Sequence, residues 1–318
     1  MLKKIGVIGG GNIGGVLIQE IVRRGLAGCV GLVDILPPEL AKGKCLDIAE
    51  GTPIIASDVK LVAGKEYSVL AGADMVINTA GVPRKPRPDG TIPSREELLV
   101  TNLKITDQVA DGIKKHCPGA IIISIANPLD AIVYHLYRKL GHPKAKILGM
   151  AGVLDSSRYR YFVAEAAGVS VESVEALVLG GHGDDMVPIR SCCRIAGMPV
   201  EKFLSTESLD AIEKRTRGAG AEVVKLLGSG SAFASPAWAA LAMAEAIAHD
   251  RKKILACCAL LEGEYGVDRL FVGVPCILGA GGIERIIEAD LNEAERVAFQ
   301  KSVASVTSTC AEVDKLAP

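Results

Sequence analysis

The fold is decided by the stretch Lys4-Ile5-Gly6-Val7-Ile8-Gly9-Gly10-Gly11-Asn12-Ile13-Gly14. Its first part is mostly apolar and predicts a short, buried, parallel strand. The pattern G-x-G-x-x-G follows, and the residues from Val16 to Arg24 then show helical periodicity. Glycines let a backbone approach a pyrophosphate, and a helix N-terminus stabilises its charge. We therefore expect the residues of the pattern to bind a dinucleotide: Gly9, Gly10, Gly11, Asn12, Ile13 and Gly14.

An acidic residue strengthens this interpretation. The next strand, Val30-Gly31-Leu32-Val33, ends at Asp34, twenty residues beyond Gly14. A lone glycine pattern is weak evidence, but a glycine loop between strand and helix with an acid closing the next strand is specific. A carboxylate there accepts hydrogen bonds from ribose hydroxyls and repels a 2′-phosphate, which favours NAD over NADP. The alternative is a strand–turn–helix with a purely structural role.

Length and composition limit the classes of protein. At 318 residues the chain is long enough for about two domains, and 49% apolar with 23% charged residues is typical of globular proteins. A formal net charge of −1 predicts no broad attraction to nucleic acid or to a membrane surface. Nine cysteines without a C-x-x-C pair predict reduced thiols. With no signal peptide or transmembrane stretch evident, we expect a soluble cytoplasmic protein.

Strands and helices alternate through the first half of the chain. Further strands are predicted at Val59–Val62, Asp74–Asn78 and Ala120–Ser124, with a long helix over Arg95–His116. This alternation predicts an α/β fold, a doubly wound parallel sheet over residues 1–149. Ligands bind such sheets at the carboxyl ends of the strands. Candidate contacts therefore follow two strands: Thr79, Ala80 and Gly81 in one loop, and Ile125, Ala126 and Asn127 in the other.

The second half has a different pattern. Short strands begin near Val174, long helices are predicted at Glu207–Leu227 and Pro236–Asp250, and a last helix covers Asn292–Asp314. We interpret residues 150–318 as a second, α+β domain. A glycine cluster at Gly279–Gly282 resembles a phosphate loop, but no strand ending in an acid follows it, which predicts a turn.

A basic loop separates two of the first-half elements. Val82–Arg95 contains four prolines and one glycine in fourteen residues, and four of its side chains are cationic. Long irregular loops in compact domains are often lids. The composition suits a clamp for a carboxylate better than a platform for nucleic-acid bases, since the loop has no aromatic residue. The alternative is a solvated basic loop.

His182 lies among glycines in Val178–Met186. An imidazole is the side chain best suited to take a proton at neutral pH, and the glycines leave room for a ligand. Asp155 and Arg158 are three residues apart on a predicted helix, which puts them on one face. They are interpreted as an orienting carboxylate and a substrate cation. The alternatives are a structural turn and a surface ion pair. No histidine has metal-ligand spacing, so no metal is expected.

These motifs, together with Asn127-Pro128-Leu129-Asp130, give the chain its family resemblance. It resembles the lactate/malate dehydrogenase family of 2-hydroxy-acid dehydrogenases over essentially its whole length, and within it the bacterial malate dehydrogenases that are closer to lactate dehydrogenases. The resemblance implies that His182 accepts the substrate proton and that Asp155 orients it. Arg158 would grip the C1 carboxylate through a bidentate pair.

The same resemblance implies further contacts. Asn127 would contact the substrate hydroxyl, and Arg95 would polarise the carbonyl as hydride moves. Asn102 and the backbone around Ile125 would touch NAD. An arginine at position 84, where lactate enzymes typically have glutamine, implies a second substrate carboxylate and hence malate or oxaloacetate. The link from residue 87 to residue 94 is longer than in the family. The family also implies a homodimer or homotetramer.

Three alternatives remain open. Lactate or another 2-hydroxy acid is the first, and turnover of oxaloacetate against pyruvate distinguishes it. An NAD-dependent glycoside hydrolase on a related fold is the second; it would need a Cys/His metal site beside the cofactor, which the sequence does not offer. A dinucleotide sensor without activity is the third, and it would bind NADH without turning over a 2-keto acid.

Overall fold

The computed structural model describes residues 2–35, 37–82, 94–228 and 230–317. Within them the strands are β1 (Leu2–Ile8), β2 (Ala27–Val33), β3 (Lys60–Gly64), β4 (Met75–Asn78), β5 (Ile121–Ser124), β6 (Ile147–Gly149), β7 (Val174–Leu179), β8 (Val187–Ile195), β9 (Met198–Pro199), β10 (Lys253–Glu262), β11 (Asp268–Gly279) and β12 (Gly282–Ile286). The α-helices are α1 (Asn12–Arg24), α2 (Pro38–Gly51), α3 (Arg95–His116), α4 (Leu129–Leu140), α5 (Gly152–Ala167), α6 (Thr206–Leu227), α7 (Ala234–Ala248) and α8 (Glu293–Leu316).

The first six strands form a parallel sheet in the order β3-β2-β1-β4-β5-β6. All four residues of β4 are buried, as are all four of β5, because helices cover both faces of the sheet. The order of the strands reverses between β1 and β4, and ligands bind at the carboxyl ends of strands beside such a point. The predicted doubly wound fold is confirmed.

The second half of the chain extends this sheet. β10 runs antiparallel to β6, with Cys258 opposite Gly149, and β11 and β12 continue outward. β10 is buried continuously from Ala256 to Leu261, so both of its faces need cover, which a place inside a large sheet provides. Strands β7 to β9 form a separate antiparallel sheet. Ala280 and Gly281 make the turn between β11 and β12, as predicted.

The largest core cluster includes residues from both halves. It joins Ile21 of α1 and Ile77 of β4 to Ala240 of α7 and Val272 of β11. α7 is rich in alanine, and small side chains let it pack closely against α1 and the sheet. None of the helices described is both long and apolar enough to cross a membrane.

Two capping boxes fix the helices beside the site. Ser94 and Glu97 exchange side-chain and backbone hydrogen bonds at the start of α3, which begins at the residue predicted for it. Asn292 and Glu295 do the same for α8. Each box satisfies amides that a helix N-terminus leaves unpaired, so both helices begin at a defined residue.

Candidate active site

The glycine loop lies between β1 and α1, and its glycines have distinct functions. Gly9 has a φ of +98°, and a Cβ on it would lie 2.5 Å from Oγ1 of Thr79. A Cβ on Gly14 would lie 1.9 Å from the carbonyl oxygen of Gly9. Gly11, in contrast, has open space where its Cβ would be. The loop is therefore tightly packed at Gly9 and Gly14 and open at Gly11, where a phosphate could approach the N-terminus of α1.

Asp34 follows β2 and lies against this loop. Its carboxylate is buried and accepts a hydrogen bond from the Gly10 amide at 2.5 Å. The carbonyl oxygen of Gly10 accepts a hydrogen bond from Nζ of Lys44 on α2. Both backbone polar groups of Gly10 are thus held by side chains. Asp34 lies at the end of β2, where we expect a contact with the ribose. It also fixes the loop that would hold the pyrophosphate.

The predicted contact residues after β4 and β5 lie at the same edge of the sheet. Thr79 donates through Oγ1 to the carbonyl oxygens of Ile8 and Gly9, at 3.0 and 3.1 Å. The amide of Ile125 donates to the carbonyl oxygen of Asn78 at 2.9 Å. The loops therefore share a connected edge with the glycine loop, and Gly81 and Asn127 are exposed there.

Asn102, on α3, joins these two loops to each other. Its Nδ2 donates to the carbonyl oxygens of Val82 and Asn127, and its Oδ1 accepts from the Val82 amide at 2.8 Å. Both amide hydrogens are therefore used, and the side chain is buried. The structure places Asn102 as a brace between the two loops for which the family resemblance implies contact with NAD.

His182, Asp155 and Arg158 come together as the sequence predicted. Nδ1 of His182 lies 2.7 Å from Oδ2 of Asp155, and Nη1 of Arg158 lies 3.3 Å from Oδ1 of the same carboxylate. The Asp155 side chain is 2% exposed, while those of His182 and Arg158 are 13% and 15% exposed. An ionised carboxylate accepts hydrogen bonds only, so Nδ1 carries hydrogen and Nε2 of a neutral imidazole is left as the acceptor.

Two contacts that the sequence did not reveal hold the backbone at His182. Asp130, in the first turn of α4, accepts the His182 amide through Oδ2 at 2.8 Å. Ser302 of α8 accepts the neighbouring Gly181 amide through Oγ at 2.9 Å. A partial sequence indication existed for Asp130, which follows Asn127-Pro128 at the start of a helix. Nothing local in the sequence indicated Ser302, which lies 121 residues from Gly181.

These carboxylates set the electrostatics of the imidazole. Burial lowers the pKa of His182, but the charges of Asp155 and Asp130 and the hydrogen bond to Asp155 outweigh burial, so the pKa lies above its ordinary value. The guanidinium of Arg158 acts in the opposite direction. Burial raises the pKa of Asp130, and its hydrogen bonds to the His182 amide and the Cys258 thiol partly offset that rise. His182 can thus take up and hold a proton while most of its side chain is buried.

A cavity of about 860 Å³ opens in front of the imidazole. Its lining includes Asn127, Asp130, His182 and Leu99, and it extends toward Lys315 at the end of α8. The space exceeds what a four-carbon acid needs. The part of the chain described here contains no group of three or more His, Cys, Asp and Glu side chains that could hold a metal ion.

Two predicted site residues stand apart from this geometry. Arg84 and the rest of 83–93 lie outside the described residues. Arg95 is the first residue of α3, and its backbone follows the Ser94 cap. α3 begins beside the cavity, since Glu96, Leu98 and Leu99 line it. The predicted cationic loop therefore leads into a helix that borders the site.

A dinucleotide loop at the point where the sheet reverses, together with a histidine that is held by a buried carboxylate and shares a cavity with Asn127 after β5, defines an NAD-dependent oxidoreductase. Residues 3–149 match the lactate/malate dehydrogenase NAD binding domain, and residues 152–316 match the lactate/malate dehydrogenase alpha/beta C-terminal domain. The chain belongs to the lactate/malate dehydrogenase family, and its cofactor is NAD.

Relatives are similar over nearly the whole chain. Malate dehydrogenase 1 of Anaeromyxobacter dehalogenans is 51% identical over 98% of this chain and 98% of its own. The crystal structure of a Cryptosporidium parvum malate dehydrogenase, at 40% identity, has a TM-score of 0.93 and covers 99% of this chain and 100% of that one. A C. parvum lactate dehydrogenase complexed with lactic acid and nicotinamide adenine dinucleotide is also 40% identical, with a TM-score of 0.94 and coverage of 100% and 99%.

Proposed function

We propose that the protein reversibly oxidises (S)-malate to oxaloacetate with NAD. The observation that carries the proposal is the contact between His182 and Asp155 at 2.7 Å, with Arg158 beside it, in a chain whose glycine loop has open space for a phosphate at Gly11. The curated relatives named malate dehydrogenase support the choice of substrate.

His182 is the proposed base. Oxidation of a secondary alcohol releases a proton and a hydride, and Nε2 of His182 takes the proton from the substrate hydroxyl. Asp155 keeps hydrogen on Nδ1, so Nε2 is free to accept, and its negative charge stabilises the imidazolium that forms. In the reverse direction the same imidazolium donates its proton to the oxygen of oxaloacetate.

Arginine side chains hold the substrate in this proposal. The planar guanidinium of Arg158 pairs with the C1 carboxylate in a bidentate geometry that lysine cannot reproduce. Asn127 contacts the hydroxyl, and Arg95 polarises the carbonyl. Held at its ends, the diacid presents its C2 hydrogen in one orientation, which removes much of the entropic barrier.

The residues present fit NAD. Gly11 leaves its surface open where a pyrophosphate would lie, and the buried carboxylate of Asp34 suits ribose hydroxyls. The proposed binding residues are the glycine loop and the loops after β4 and β5: Gly9, Gly10, Gly11, Asn12, Ile13, Gly14, Asp34, Thr79, Ala80, Gly81, Ile125 and Asn127, with Asn102 bracing the last two loops. When bound, NAD supplies the acceptor for the hydride.

Arg84 determines the choice between malate and lactate in this proposal. Its guanidinium pairs with the second carboxylate of oxaloacetate, and a charged hydrogen bond in a closed site contributes about 1.5–3 kcal/mol. Pyruvate has only a methyl group at that end, so it would leave a buried guanidinium unpaired, which costs more. We expect kcat/KM for oxaloacetate to exceed that for pyruvate by at least ~10³-fold.

The test is NADH oxidation with each substrate, in wild type and in Arg84→Gln. The variant should shrink the ratio, mainly by lowering kcat/KM for oxaloacetate. Lys85→Gln removes a neighbouring cation of the same loop and is the matched control; it should leave the ratio unchanged. An unchanged ratio in Arg84→Gln would remove Arg84 from the site.

Lactate is the second candidate substrate. Two lactate dehydrogenase structures superpose on the chain as well as the malate dehydrogenases do, each with a TM-score of 0.94. The shape of the fold therefore favours neither substrate, and the residue at position 84 carries the choice. A wild type that prefers pyruvate would establish this alternative instead.

We also propose that the protein is cytoplasmic and forms a homodimer or homotetramer, without nucleic-acid or membrane partners. Large apolar side chains that are exposed in the single chain, such as Ile54, Leu226 and Trp238, support self-association. The two structural units are proposed to meet at residues 149 and 150, where β6 ends and before α5 begins.

A further inference from the structure

Asp130 has contacts that a residue of the helix surface would not have. It lies in the first turn of α4 and is 9% exposed. Oδ2 accepts the His182 amide at 2.8 Å, and Oδ1 accepts from Sγ of Cys258, which is fully buried in β10, at 3.3 Å. Asp130 also lines the cavity in front of His182. One carboxylate therefore connects three elements at the proposed base.

We propose that Asp130 is a positioning residue for His182. It fixes the backbone that carries the imidazole, and its negative charge stabilises the imidazolium as a second carboxylate beside Asp155. The proposal rests on the proposed function only in taking His182 as the base. Asp155 acts on the ring through Nδ1, whereas Asp130 binds the main-chain amide, so the two carboxylates contribute separately.

Burial raises the pKa of Asp130, but several of its contacts favour the ionised form and offset part of that rise. Both oxygens receive a hydrogen from a neighbouring donor, an amide on one and a thiol on the other. The carboxylate also lies at the N-terminus of α4, where the helix dipole stabilises negative charge, and Pro128 before it offers no capping side chain. Burial opposes ionisation. A protonated imidazole nearby provides the compensating charge.

The charge on His182 depends on groups from several elements. Those that face the imidazole or Asp130, or line the same cavity, are Asp155 and Arg158 of α5, Cys258 of β10, Cys310, Glu312 and Lys315 of α8, Glu96 of α3, and Asp184 and Asp185 of the turn itself. Among them Asp130 is the only carboxylate described that accepts the backbone amide of His182. A substitution that removes the charge of Asp130 but keeps a hydrogen-bond acceptor isolates the contribution of that charge to the pKa of His182.

Asp130→Asn makes that replacement. The amide oxygen can still accept from the His182 amide, while the negative charge is lost. Removing a nearby carboxylate favours the neutral imidazole, so we expect the pKa of His182 to fall by about one pH unit. Ser302→Ala is the matched control, because it removes the acceptor of the adjacent Gly181 amide without changing any charge. It should leave the pKa unchanged.

The measurement is an NMR titration of the protein labelled with ¹³C at histidine Cε1. The chain has five histidines, and the His182 signal is assigned by its loss in His182→Gln. This titration needs no substrate, so it tests Asp130 even if the wild type turns over no 2-hydroxy acid, an outcome that would overturn the proposed function alone. Asp130→Ser, which also removes the charge but keeps a hydroxyl acceptor, is titrated in parallel in case Asp130→Asn does not fold.

Kinetics give a second readout. Malate oxidation requires neutral His182, so its rate falls as pH drops through the pKa of the base. In Asp130→Asn that acid limb should move to lower pH by the same amount as the pKa. An unchanged pKa and an unmoved limb, with only a loss of thermal stability or of kcat, would show that Asp130 is structural and overturn the proposal.

Discussion

Replacing Asp155 by asparagine tests the proton relay directly. The carboxylate lies 2.7 Å from Nδ1 of His182 on a side chain that is 2% exposed, so its charge acts on the ring with little screening by water. A charged hydrogen bond in such a setting contributes about 1.5–3 kcal/mol, which is about 10- to 150-fold in rate. An amide can also direct NH₂ at Nδ1, and the hydrogen of the neutral ring then moves to Nε2, where the base must accept. We expect kcat to fall about 10²–10⁴-fold.

Asp155→Asn should also have a second kinetic effect, which acts through Arg158. Its Nη1 lies 3.3 Å from Oδ1 of Asp155, so the loss of charge also loosens the guanidinium that would hold the C1 carboxylate. KM for oxaloacetate should therefore rise while kcat falls. The acid limb of malate oxidation should move to lower pH as well, because a carboxylate that raises the pKa of His182 is gone.

The assay is NADH absorbance with oxaloacetate and NAD reduction with malate, each across pH, with thermal unfolding to establish that the variants are folded. Glu165→Gln is the matched control: it removes a carboxylate from the same helix, but from an exposed ion pair with Arg215. Exposed pairs contribute little, so its kinetics should be those of the wild type. If Asp155→Asn or His182→Ala kept more than a tenth of the wild-type kcat, the relay would be refuted.

Two further predictions concern the cofactor and the fold. Wild type should prefer NAD over NADP by at least ~10-fold in kcat/KM, because Asp34 repels a 2′-phosphate, and Asp34→Ser should narrow that gap; equal use of both by the wild type would contradict the assignment. Glu295→Ala should lower the free energy of unfolding by about 2–4 kcal/mol in urea titration, since its buried carboxylate accepts from the amide and hydroxyl of Ser191 and from the Asn292 amide. Glu293→Ala, an exposed neighbour in the same turn, should change it by less than about 0.5 kcal/mol.

Much of the parallel sheet could be predicted because its signals are local. A short run of mostly apolar residues marks each strand, and the glycine loop identifies the first connection from a strand to a helix. The helix predicted over Arg95–His116 has those bounds in the structure, since Ser94 caps it within its own first turn. The sequence could not predict that β10 to β12 join the same sheet, because the sequence of a buried strand does not specify which sheet it joins.

In the site, too, contacts between residues close in sequence could be predicted, whereas contacts between distant residues could not. Asp155 and Arg158 are three residues apart, so a single helical turn predicts that they share a face. The contacts of Asp130 with His182 and of Ser302 with Gly181 span 52 and 121 residues, and they depend on where α4 and α8 pack. Asn102 shows the same limit: the family resemblance implied contact with NAD, but its hydrogen bonds go to backbone groups that only the folded chain brings together.

The glycines around His182 are needed for a different reason from the one that the sequence suggested. They were expected to leave room for a ligand, yet a Cβ on Gly180 would lie 2.5 Å from Oγ of Ser302, and one on Gly181 would lie 2.6 Å from Val306. Gly180 also has a φ of +89°, which other residues rarely adopt. These two glycines let the turn press against α8, where Ser302 accepts the Gly181 amide. Only Gly183 has open space at its Cβ position. The turn that carries the base is therefore placed by packing against the middle of α8, and Asp155 then orients the imidazole ring. A change at Val306 would therefore shift His182 without touching the substrate.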